Sequence, residues 1–295
     1  MIQVIALTVV LAVFVGISLG LLGGGGSILT VPLLAYVAGM DAKQAIATSL
    51  LVVGVTSAVG AVSHARAGRV QWRTAVLFGA TAMLGAYAGG HLAKFIPGSV
   101  LLVGFAVMMI ATAVAMLRGR KDSPEPTGPK DHLPILKIVA EGAVVGLVTG
   151  LVGAGGGFLV VPALVLLGGL PMPVAVGTSL VVIAMKSFAG LAGYLSVVHI
   201  NWAVAGMVTA AAVAGGVIGA RFASLVNPDL LRKSFGWFVL IMAGVILGQE
   251  VHAGVGIAVM IATGIAGGIS FACSRLDTCP LRRVVTTSMV SAGAA

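Results

Sequence analysis

The chain has 295 residues, 59% of them hydrophobic and 8% charged, with a mean hydropathy of +1.15 and a net charge of +9. Soluble domains carry roughly 25% charged residues, so this composition excludes a water-soluble globule, and its apolar content excludes a disordered chain. Two cysteines exclude a disulfide scaffold. The apolar stretches run for about 20 residues without strand-like alternation, which predicts an all-α polytopic membrane protein in a lipid bilayer. The Lys and Arg residues lie between these stretches without interleaved aromatics, so nucleic acid is not expected as a partner.

The first predicted segment, residues 3–39, is too long for one crossing, because about 20 residues span a bilayer. A run of four glycines at 23–26, followed by Ser27, interrupts it near the middle. Glycine supports a helix poorly, by about 1 kcal/mol per residue. The 13 residues from Ser27 to Gly39 make only about 20 Å of helix. We therefore predict a re-entrant segment, in which a helix runs in, turns at the glycines, and continues as a half-helix back out.

Three further helices follow in the first half, and the second half repeats the pattern of one long segment and three helices. The predicted bounds are 44–64, 72–94 and 99–117 in the first half, and 135–168, 174–197, 202–225 and 230–248 in the second. A charged, proline-rich stretch between the halves is predicted to be a solvated linker, and the tail holds one extra apolar stretch that is long enough to span once. The chain thus divides into a first membrane repeat (1–118), a linker (119–134), a second membrane repeat (135–248) and a tail (249–295).

The two halves align without a gap at an offset of 130 residues, with 30 identities between 11–118 and 141–248. Apolar composition produces chance matches, but residues such as Trp and Pro at one common offset indicate a duplication. The matching features are Gly20–Ser27 with Gly150–Gly157, Pro32 with Pro162, Thr48–Leu50 with Thr178–Leu180, Ser57 with Ser187, and Trp72 with Trp202.

The distribution of basic residues between loops favours inverted halves. If each first segment is re-entrant, each half crosses three times, and the loops hold eleven Lys and Arg on one side against two, Lys43 and Lys94, on the other. If each first segment crossed once, the halves would be parallel and the division would be eight to five. Because cytoplasmic loops collect Lys and Arg, we expect an outward-facing N-terminus and a cytoplasmic linker.

The two glycine runs are the first candidate binding elements. Broken helices in inverted repeats place free N–H groups and a positive dipole end near the middle of the membrane, where they can hold an anion. The alternative is close helix packing through small residues. The candidate residues are Gly23, Gly24, Gly25, Gly26 and Ser27 in the first half, and Gly153, Gly155, Gly156 and Gly157 in the second.

Hydroxyl groups and one lysine complete the candidate site. Thr48, Ser49 and Ser57 of the first half, and their equivalents Thr178, Ser179 and Ser187, could donate to a substrate oxyanion or could instead bond to the preceding turn of their own helix. Lys186 lies about 18 Å along its predicted helix, near the membrane midplane. A cation there costs at least about 2.5–3.5 kcal/mol, so it is expected to face a cavity or a partner. It could act as an anion counter-charge or a proton-linked switch, or it could be a snorkelling or structurally paired lysine.

Enzymatic chemistry is not expected from this sequence. The predicted spans contain no nucleophile with a base, no paired carboxylates and no His or Cys at metal-ligand spacing, so neither a catalytic site nor a metal site is predicted. Neither glycine run is followed by Gly-Lys-Ser/Thr, so no nucleotide loop and no other cofactor is expected.

Each half carries one copy of a three-part motif. The first copy is Gly-Leu-Leu-Gly-Gly-Gly-Gly-Ser, Val-Pro-Leu-Leu and Ala-Thr-Ser-Leu, and the second is Gly-Leu-Val-Gly-Ala-Gly-Gly-Gly, Val-Pro-Ala-Leu and Gly-Thr-Ser-Leu. Together the two copies resemble the TauE/SafE family, also called the 4-toluene sulfonate uptake permease family. The resemblance covers about residues 5–248 and leaves out the tail. It implies a multi-pass secondary carrier of the bacterial inner membrane, with sulfite, sulfonates and related organosulfur anions as the substrate class.

The sequence therefore predicts a secondary transporter of a small anion that works by alternating access. Coupling to protons or to the membrane potential is a hypothesis, and the direction of transport and the oligomeric state are left open. The alternatives are a non-transporting membrane scaffold or assembly protein, in which two broken helices would be wasteful, and an intramembrane enzyme.

Overall fold

The computed structural model describes residues 2–22, 25–117, 135–153, 160–161, 164, 170–196, 198–222, 228–252 and 254–264. All regular secondary structure within these ranges is helical. The helices are α1 (Ile2–Leu22), α2 (Ala42–Arg66), α3 (Trp72–Leu92), α4 (Gly98–Leu117), α5 (Ile135–Val152), α6 (Met172–Leu195), α7 (Trp202–Phe222), α8 (Pro228–Glu250) and α9 (Gly254–Gly264).

The predicted all-α membrane fold is confirmed at this level. The helix expected at 44–64 is observed at Ala42–Arg66, and the helix expected at 72–94 is observed at Trp72–Leu92 with a 3₁₀ extension, Ala93–Phe95. Four helical stretches in the described ranges are long and apolar enough to cross a bilayer: Ala42–Arg66, Trp72–Phe95, Val174–Leu195 and Trp202–Phe222. The other described helices include shorter apolar stretches, so the chain is a helical membrane protein.

A short return segment of residues 25–37 lies between α1 and α2. It consists of a 3₁₀ turn (Gly25–Leu29), one α-helical turn (Thr30–Pro32) and a π-helical turn (Leu33–Val37). Gly39 follows with φ of 68°, a left-handed conformation that glycine adopts without strain. The Asp41 carboxylate then accepts a hydrogen bond from the Lys43 backbone N–H at 3.2 Å, which caps the start of α2.

Helix α1 and helix α2 run in the same direction. Thr8 near the start of α1 shares a cavity with Gln44 near the start of α2, whereas Gly20 near the end of α1 shares a second cavity with His64 near the end of α2. Residues 23–41 therefore carry the chain back to the level at which α1 began. The expected interruption of the first long segment is present, since α1 ends at Leu22 and the return segment follows it.

Helix α1 packs against α7 of the other half, and α5 packs in the equivalent way against α3. In the first pair, Gly16 lies against the backbone of Ala212 and Gly20 against that of Gly216, so the helices are parallel and in direct contact. In the second pair, Gly146 lies against Ala82 and Gly150 against Ala86, each residue 130 positions from its equivalent. Small residues allow this approach, because a side chain at any of these glycines would meet backbone atoms.

Helices α2 and α6 run antiparallel at the centre of the bundle. The Leu50 side chain lies against Gly190, and ten residues further along α2, Gly60 lies against the side chain of Leu180. Leu50 and Leu180 are equivalent under the 130-residue offset, as are Gly60 and Gly190. The contact of Leu50 with Gly190 and the contact of Leu180 with Gly60 are therefore equivalent contacts, related by the repeat.

The described contacts divide the helix ends between two faces of the bundle. At one face, which we call the arginine end, residues 66–73 pack on the start of α6, where the Gln71 backbone N–H donates to Thr178 Oγ1 at 3.0 Å. At the other face, which we call the lysine end, the Lys43 ammonium donates to the carbonyl oxygen of Lys94 at 3.4 Å. Both α1 and α2 run from the lysine end to the arginine end.

Helix α9 belongs to the extra apolar stretch of the tail and packs antiparallel on α8. Gly256 lies directly against Gly248, and Met260 lies against Gly244. The remainder of that stretch is outside the described residues, so its length across the membrane stays a prediction.

Candidate functional site

Lys186 lies fully inside the protein at the centre of α6, with 1% of its side chain exposed. Its ammonium donates a hydrogen bond of 3.0 Å to Thr149 Oγ1 in the last turns of α5. The Thr149 hydroxyl in turn contacts the carbonyl oxygens of Val145 (2.7 Å) and Gly146 (3.2 Å). An ammonium has three donors, and within the described side chains Thr149 is its hydrogen-bond partner. The structure thus gives this cation one neutral partner in an apolar interior.

Ser57 of α2 and Ser187 of α6 are the second pair of buried polar groups. They are 0% and 1% exposed, and neither hydroxyl has a hydrogen-bond partner among the described atoms. Ser187 is adjacent to Lys186 in the chain and lies against Gly54 of α2. A buried hydroxyl without a partner costs about 1–3 kcal/mol, so two at equivalent positions call for an explanation. Here the alternative that serine bonds to its own preceding turn does not hold.

The other hydroxyls predicted for the site are already engaged or line a cavity. Ser49 donates to the carbonyl oxygen of Gly153 at 3.0 Å, and Ser179 donates to the carbonyl of Val176 in its own helix at 2.8 Å. Thr178 accepts from the Gln71 backbone, and Thr48, 2% exposed, lines a cavity described below. Ser179 therefore shows the local bonding that was the alternative to substrate contact, and Ser49 shows a long-range structural bond.

The glycine runs are described only in part. Gly25, Gly26 and Ser27 lie in the 3₁₀ turn of the return segment, and Ser27 is completely buried. Gly153 ends α5 with φ of 73°, and its N–H donates to the carbonyl of Thr149 at 2.9 Å. This amide is consumed within the helix, so the expectation that Gly153 offers its N–H to an anion is wrong for that residue. The remaining glycines of both runs lie outside the described residues: Gly23, Gly24, Gly155, Gly156 and Gly157.

Sequence reasoning missed two buried hydroxyls of this region. Thr149 is the partner of Lys186, and Thr30, in the return segment, is completely buried with an Oγ1 that lacks a partner among the described atoms. Neither has a hydroxyl equivalent in the other half, where Leu19 and Val160 stand. A search for polar residues shared by both halves therefore could not find them. Thr149 lies four residues before Gly153, the first residue of the second candidate glycine run, and this proximity was a usable signal.

Cavity A, of about 190 Å³, opens near the lysine end between α1, α2, α7 and the end of the return segment. Its polar lining consists of Thr8, Gln44, Thr48 and Asn201. Gln44 Nε2 also donates to the carbonyl of His199 at 3.4 Å, which ties α2 to the loop before α7.

Cavity B, of about 350 Å³, lies near the arginine end between the same three helices. Its polar lining consists of Thr56, Ser63, His64 and Arg221, and Leu180 of α6 closes one side. The Nδ1 atom of His64 is buried without a partner among the described atoms. The hydroxyls of Thr56 and Ser63 already donate to the carbonyl oxygens of Val52 and Gly60 in their own helix. The permanently cationic guanidinium of Arg221 and the imidazole of His64 are therefore the groups of this cavity that suit an anion.

Comparison with known proteins adds an independent result. The family model described as "Sulfite exporter TauE/SafE" matches residues 8–246. A "Probable membrane transporter protein" of Xylella fastidiosa (strain Temecula1) is 35% identical over 249 residues, which cover 82% of this chain and 94% of the relative. "Probable membrane transporter protein YunE" of Bacillus subtilis (strain 168) is 27% identical over 272 residues, which cover 84% of this chain and 97% of that relative. No solved structure matches the chain significantly.

The family match begins within α1 and ends within α8, so it includes both halves and both glycine-interrupted segments. It leaves out α9 and the rest of the tail, as the resemblance of the two motif copies implied. The chain belongs to the TauE/SafE family of membrane transporters.

Proposed function

We propose that the protein is a secondary transporter that carries a small anion, with sulfite, an organic sulfonate or a related organosulfur anion as its substrate class. The printed description of the family names sulfite export, and it supports the substrate class without fixing one compound. The observation that carries the proposal is the fully buried Lys186 of α6, together with the buried hydroxyls of Ser187 and its equivalent Ser57, which have no partner among the described atoms.

Two inverted membrane repeats form the scaffold in this proposal. The antiparallel crossing of α2 and α6 supports inversion, because equivalent helices that run in opposite directions are related by an axis in the membrane plane. The parallel direction of α1 and α2 supports a re-entrant first segment. The concentration of basic residues at the arginine end supports a cytoplasmic position for that end and for the linker, in the bacterial inner membrane.

The anion would bind where the helix crossing meets the two interrupted segments. Lys186 supplies positive charge, and Ser57, Ser187 and Thr30 supply hydroxyl donors that the described structure leaves free. Backbone N–H groups of Gly23–Gly26 and Gly155–Gly157 would supply further donors, since successive amides at the start of a helix form an anion site. Thr48 and Thr178 lie further out along the same two helices and would contact the anion on its way in or out.

Alternating access would come from rocking of the two halves about this site. A lysine buried with a neutral partner can change its protonation when an anion arrives or leaves, so we propose that transport is coupled to protons or to the membrane potential. Flux at different imposed pH gradients and potentials distinguishes these two modes.

The test is flux of ³⁵S-labelled sulfite and of a labelled organic sulfonate into proteoliposomes that contain the purified protein. We expect saturable flux above that of liposomes without protein. Absence of flux for every sulfur oxyanion and sulfonate would remove the substrate class. Labelling that places residues 66 and 120 on different sides of the membrane from residue 232 would remove the inverted arrangement.

A further inference from the structure

Cavities A and B lie one above the other in a single crevice. On α2, Gln44 and Thr48 line cavity A, and Thr56 and Gly60 line cavity B. At about 100° per residue, the nearest of these positions, Thr48 and Thr56, lie about 80° apart around the helix. Neighbouring parts of the α2 surface therefore border the two cavities.

Helices α1 and α7 line the crevice with matching stripes. Thr8 of α1 and Val208 of α7 border cavity A, whereas Gly20 of α1 and Gly216 of α7 border cavity B. Because α1 and α7 are parallel and packed through small residues, the two stripes stay side by side along the crevice.

Along each of the three helices, small buried residues stand between the positions that line cavity A and those that line cavity B, and we call them the plug. They are Ala12, Val52 and Ala212, each no more than 1% exposed, and Gly16, which lies against the backbone of Ala212. Thr48 and Thr56 are eight residues apart, which is about 12 Å of helix. The closed part of the crevice is thus about as long as two helical turns and is built from small side chains.

In the second half, between α5, α6 and α3, buried side chains stand at several positions equivalent to the linings of cavities A and B. Lys186 and Thr149 stand at the positions equivalent to Thr56 and Leu19 of cavity B, and they bond to each other. Phe78 stands at the position equivalent to Val208 of cavity A, and it is 3% exposed within a hydrophobic cluster.

Part of the polar lining of cavities A and B is apolar in the second half, whereas Thr48, Asn201 and Arg221 correspond to the polar residues Thr178, Gln71 and His91. Thr8 and Gln44 of cavity A correspond to Ile138 and Val174, and Ser63 of cavity B corresponds to Gly193. Cavities A and B of the first half combine open volume with amide, imidazole and guanidinium groups. Thr56 of cavity B also precedes Ser57 in the chain, so this crevice adjoins the proposed anion site.

We propose that the anion enters and leaves the proposed anion site through the crevice between α1, α2 and α7, by cavity A at the lysine end and by cavity B at the arginine end, and that the plug must open for passage. This inference rests on the proposed transport function and names its route. The divergence of the two halves then has a physical meaning, because only one of two equivalent crevices conducts substrate.

The experiment measures cysteine modification by an anionic thiosulfonate reagent, (2-sulfonatoethyl) methanethiosulfonate, in the full-length protein. The background carries Cys273→Ser and Cys279→Ser. Thr48→Cys probes cavity A and Val59→Cys probes cavity B, and Thr178→Cys and Ala189→Cys are the matched controls at equivalent positions of the second half. The reagent is applied from either membrane face, with and without methanesulfonate as competitor.

We expect Thr48→Cys and Val59→Cys to react at least about tenfold faster than their matched controls, each from a different membrane face. Methanesulfonate should slow both reactions, and modification should block flux. Equal or faster reaction of Thr178→Cys and Ala189→Cys would overturn the route. Reaction of the crevice cysteines with a lipid-soluble maleimide alone would also overturn it, because the cavities would then be lipid-filled grooves. Modification is measured without transport, so absence of flux in the proteoliposome assay would count against the proposed function and not against the route.

Discussion

The Ser49 hydroxyl of α2 donates a hydrogen bond of 3.0 Å to the carbonyl oxygen of Gly153, the residue that follows the last turn of α5. The bond joins the two halves at the point where the second long segment is interrupted. A cross-half bond to a carbonyl that is exposed by a broken helix is a structural role, and it separates Ser49 from the unpartnered serines deeper in the crossing.

Replacement of Ser49 by Ala should lower stability, whereas the equivalent Ser179→Ala should not. The first change removes a buried long-range hydrogen bond, whose net value is about 0.5–1.5 kcal/mol, and leaves the Gly153 carbonyl unsatisfied. The second removes a bond within one helical turn. Thermal unfolding in detergent, followed by tryptophan fluorescence, measures the difference. A lower midpoint for Ser179→Ala than for Ser49→Ala would contradict this assignment.

Gly153→Ala should destabilise the protein more than Gly39→Ala. Both glycines have positive φ, 73° and 68°, so each substitution introduces backbone strain of about 1–2 kcal/mol. At Gly39 nothing lies within 4 Å of the added Cβ, but at Gly153 the Cβ would lie 2.5 Å from Ile46 Cγ2. The difference between the two unfolding midpoints therefore isolates the packing of the α5 terminus on α2. Equal midpoints would show that this packing is loose.

Lys186→Met should abolish most transport and leave the fold intact. A buried ammonium in the membrane interior costs at least about 2.5–3.5 kcal/mol, and methionine of similar length removes that cost. We expect an unfolding midpoint equal to or above that of the wild type, together with at least a tenfold loss of proteoliposome flux. Thr149→Val is the companion variant, and it should lower the midpoint because it removes the partner of a cation that stays. A destabilised Lys186→Met protein with normal flux would make this lysine structural.

Ser57→Ala and Ser187→Ala should weaken substrate binding without loss of stability. Neither hydroxyl has a partner in the described structure, so its removal breaks no protein hydrogen bond and relieves a desolvation penalty of about 1–3 kcal/mol, and the unfolding free energy should stay the same or rise. If each hydroxyl donates to the anion, KM should rise about fivefold to tenfold, which corresponds to about 1 kcal/mol. The control is Thr112→Val, since Thr112 donates within α4 to the carbonyl of Met108. An unchanged KM in both serine variants would exclude these side chains from the site.

Tyr36→Phe should loosen the return segment. The Tyr36 hydroxyl donates to Glu250 Oε1 at 3.0 Å and joins this segment to the end of α8. A hydrogen bond to a charged group contributes about 1.5–3 kcal/mol when it is buried and less when it is half exposed, as here. Amide hydrogen exchange of residues 33–38 should accelerate about tenfold, and Tyr87→Phe on the exposed face of α3 should have no such effect. Equal exchange in the two variants would show that other contacts hold the segment.

The helices of the fold follow from the sequence, because apolar runs of about 20 residues bounded by charged residues, Gly or Pro have few alternatives in a bilayer. The sequence also placed Lys186 near the membrane midplane, from its distance along the predicted helix. The bond of Lys186 to Thr149 was not predicted, since it joins residues 37 positions apart on different helices. The packing of α1 and α5 on helices of the opposite half was also not predicted. A row of glycines indicates that another helix approaches closely, but it does not identify that helix. The prediction that the Gly153 N–H is available to an anion was wrong for a local reason. Gly153 follows the last residue of α5, but its N–H still donates to the carbonyl of Thr149 four residues earlier, as in a helical turn.

The partnership of α1 with α7 has a consequence for biosynthesis. The closest helical neighbour of α1 begins at Trp202, so a growing chain must insert nearly all of its membrane segments before its first helix can be covered. Until then, the bare glycine face of α1 is exposed to lipid or to assembly factors. Neither half expressed alone should reach the native state, and co-expression of the two halves as separate polypeptides should restore it.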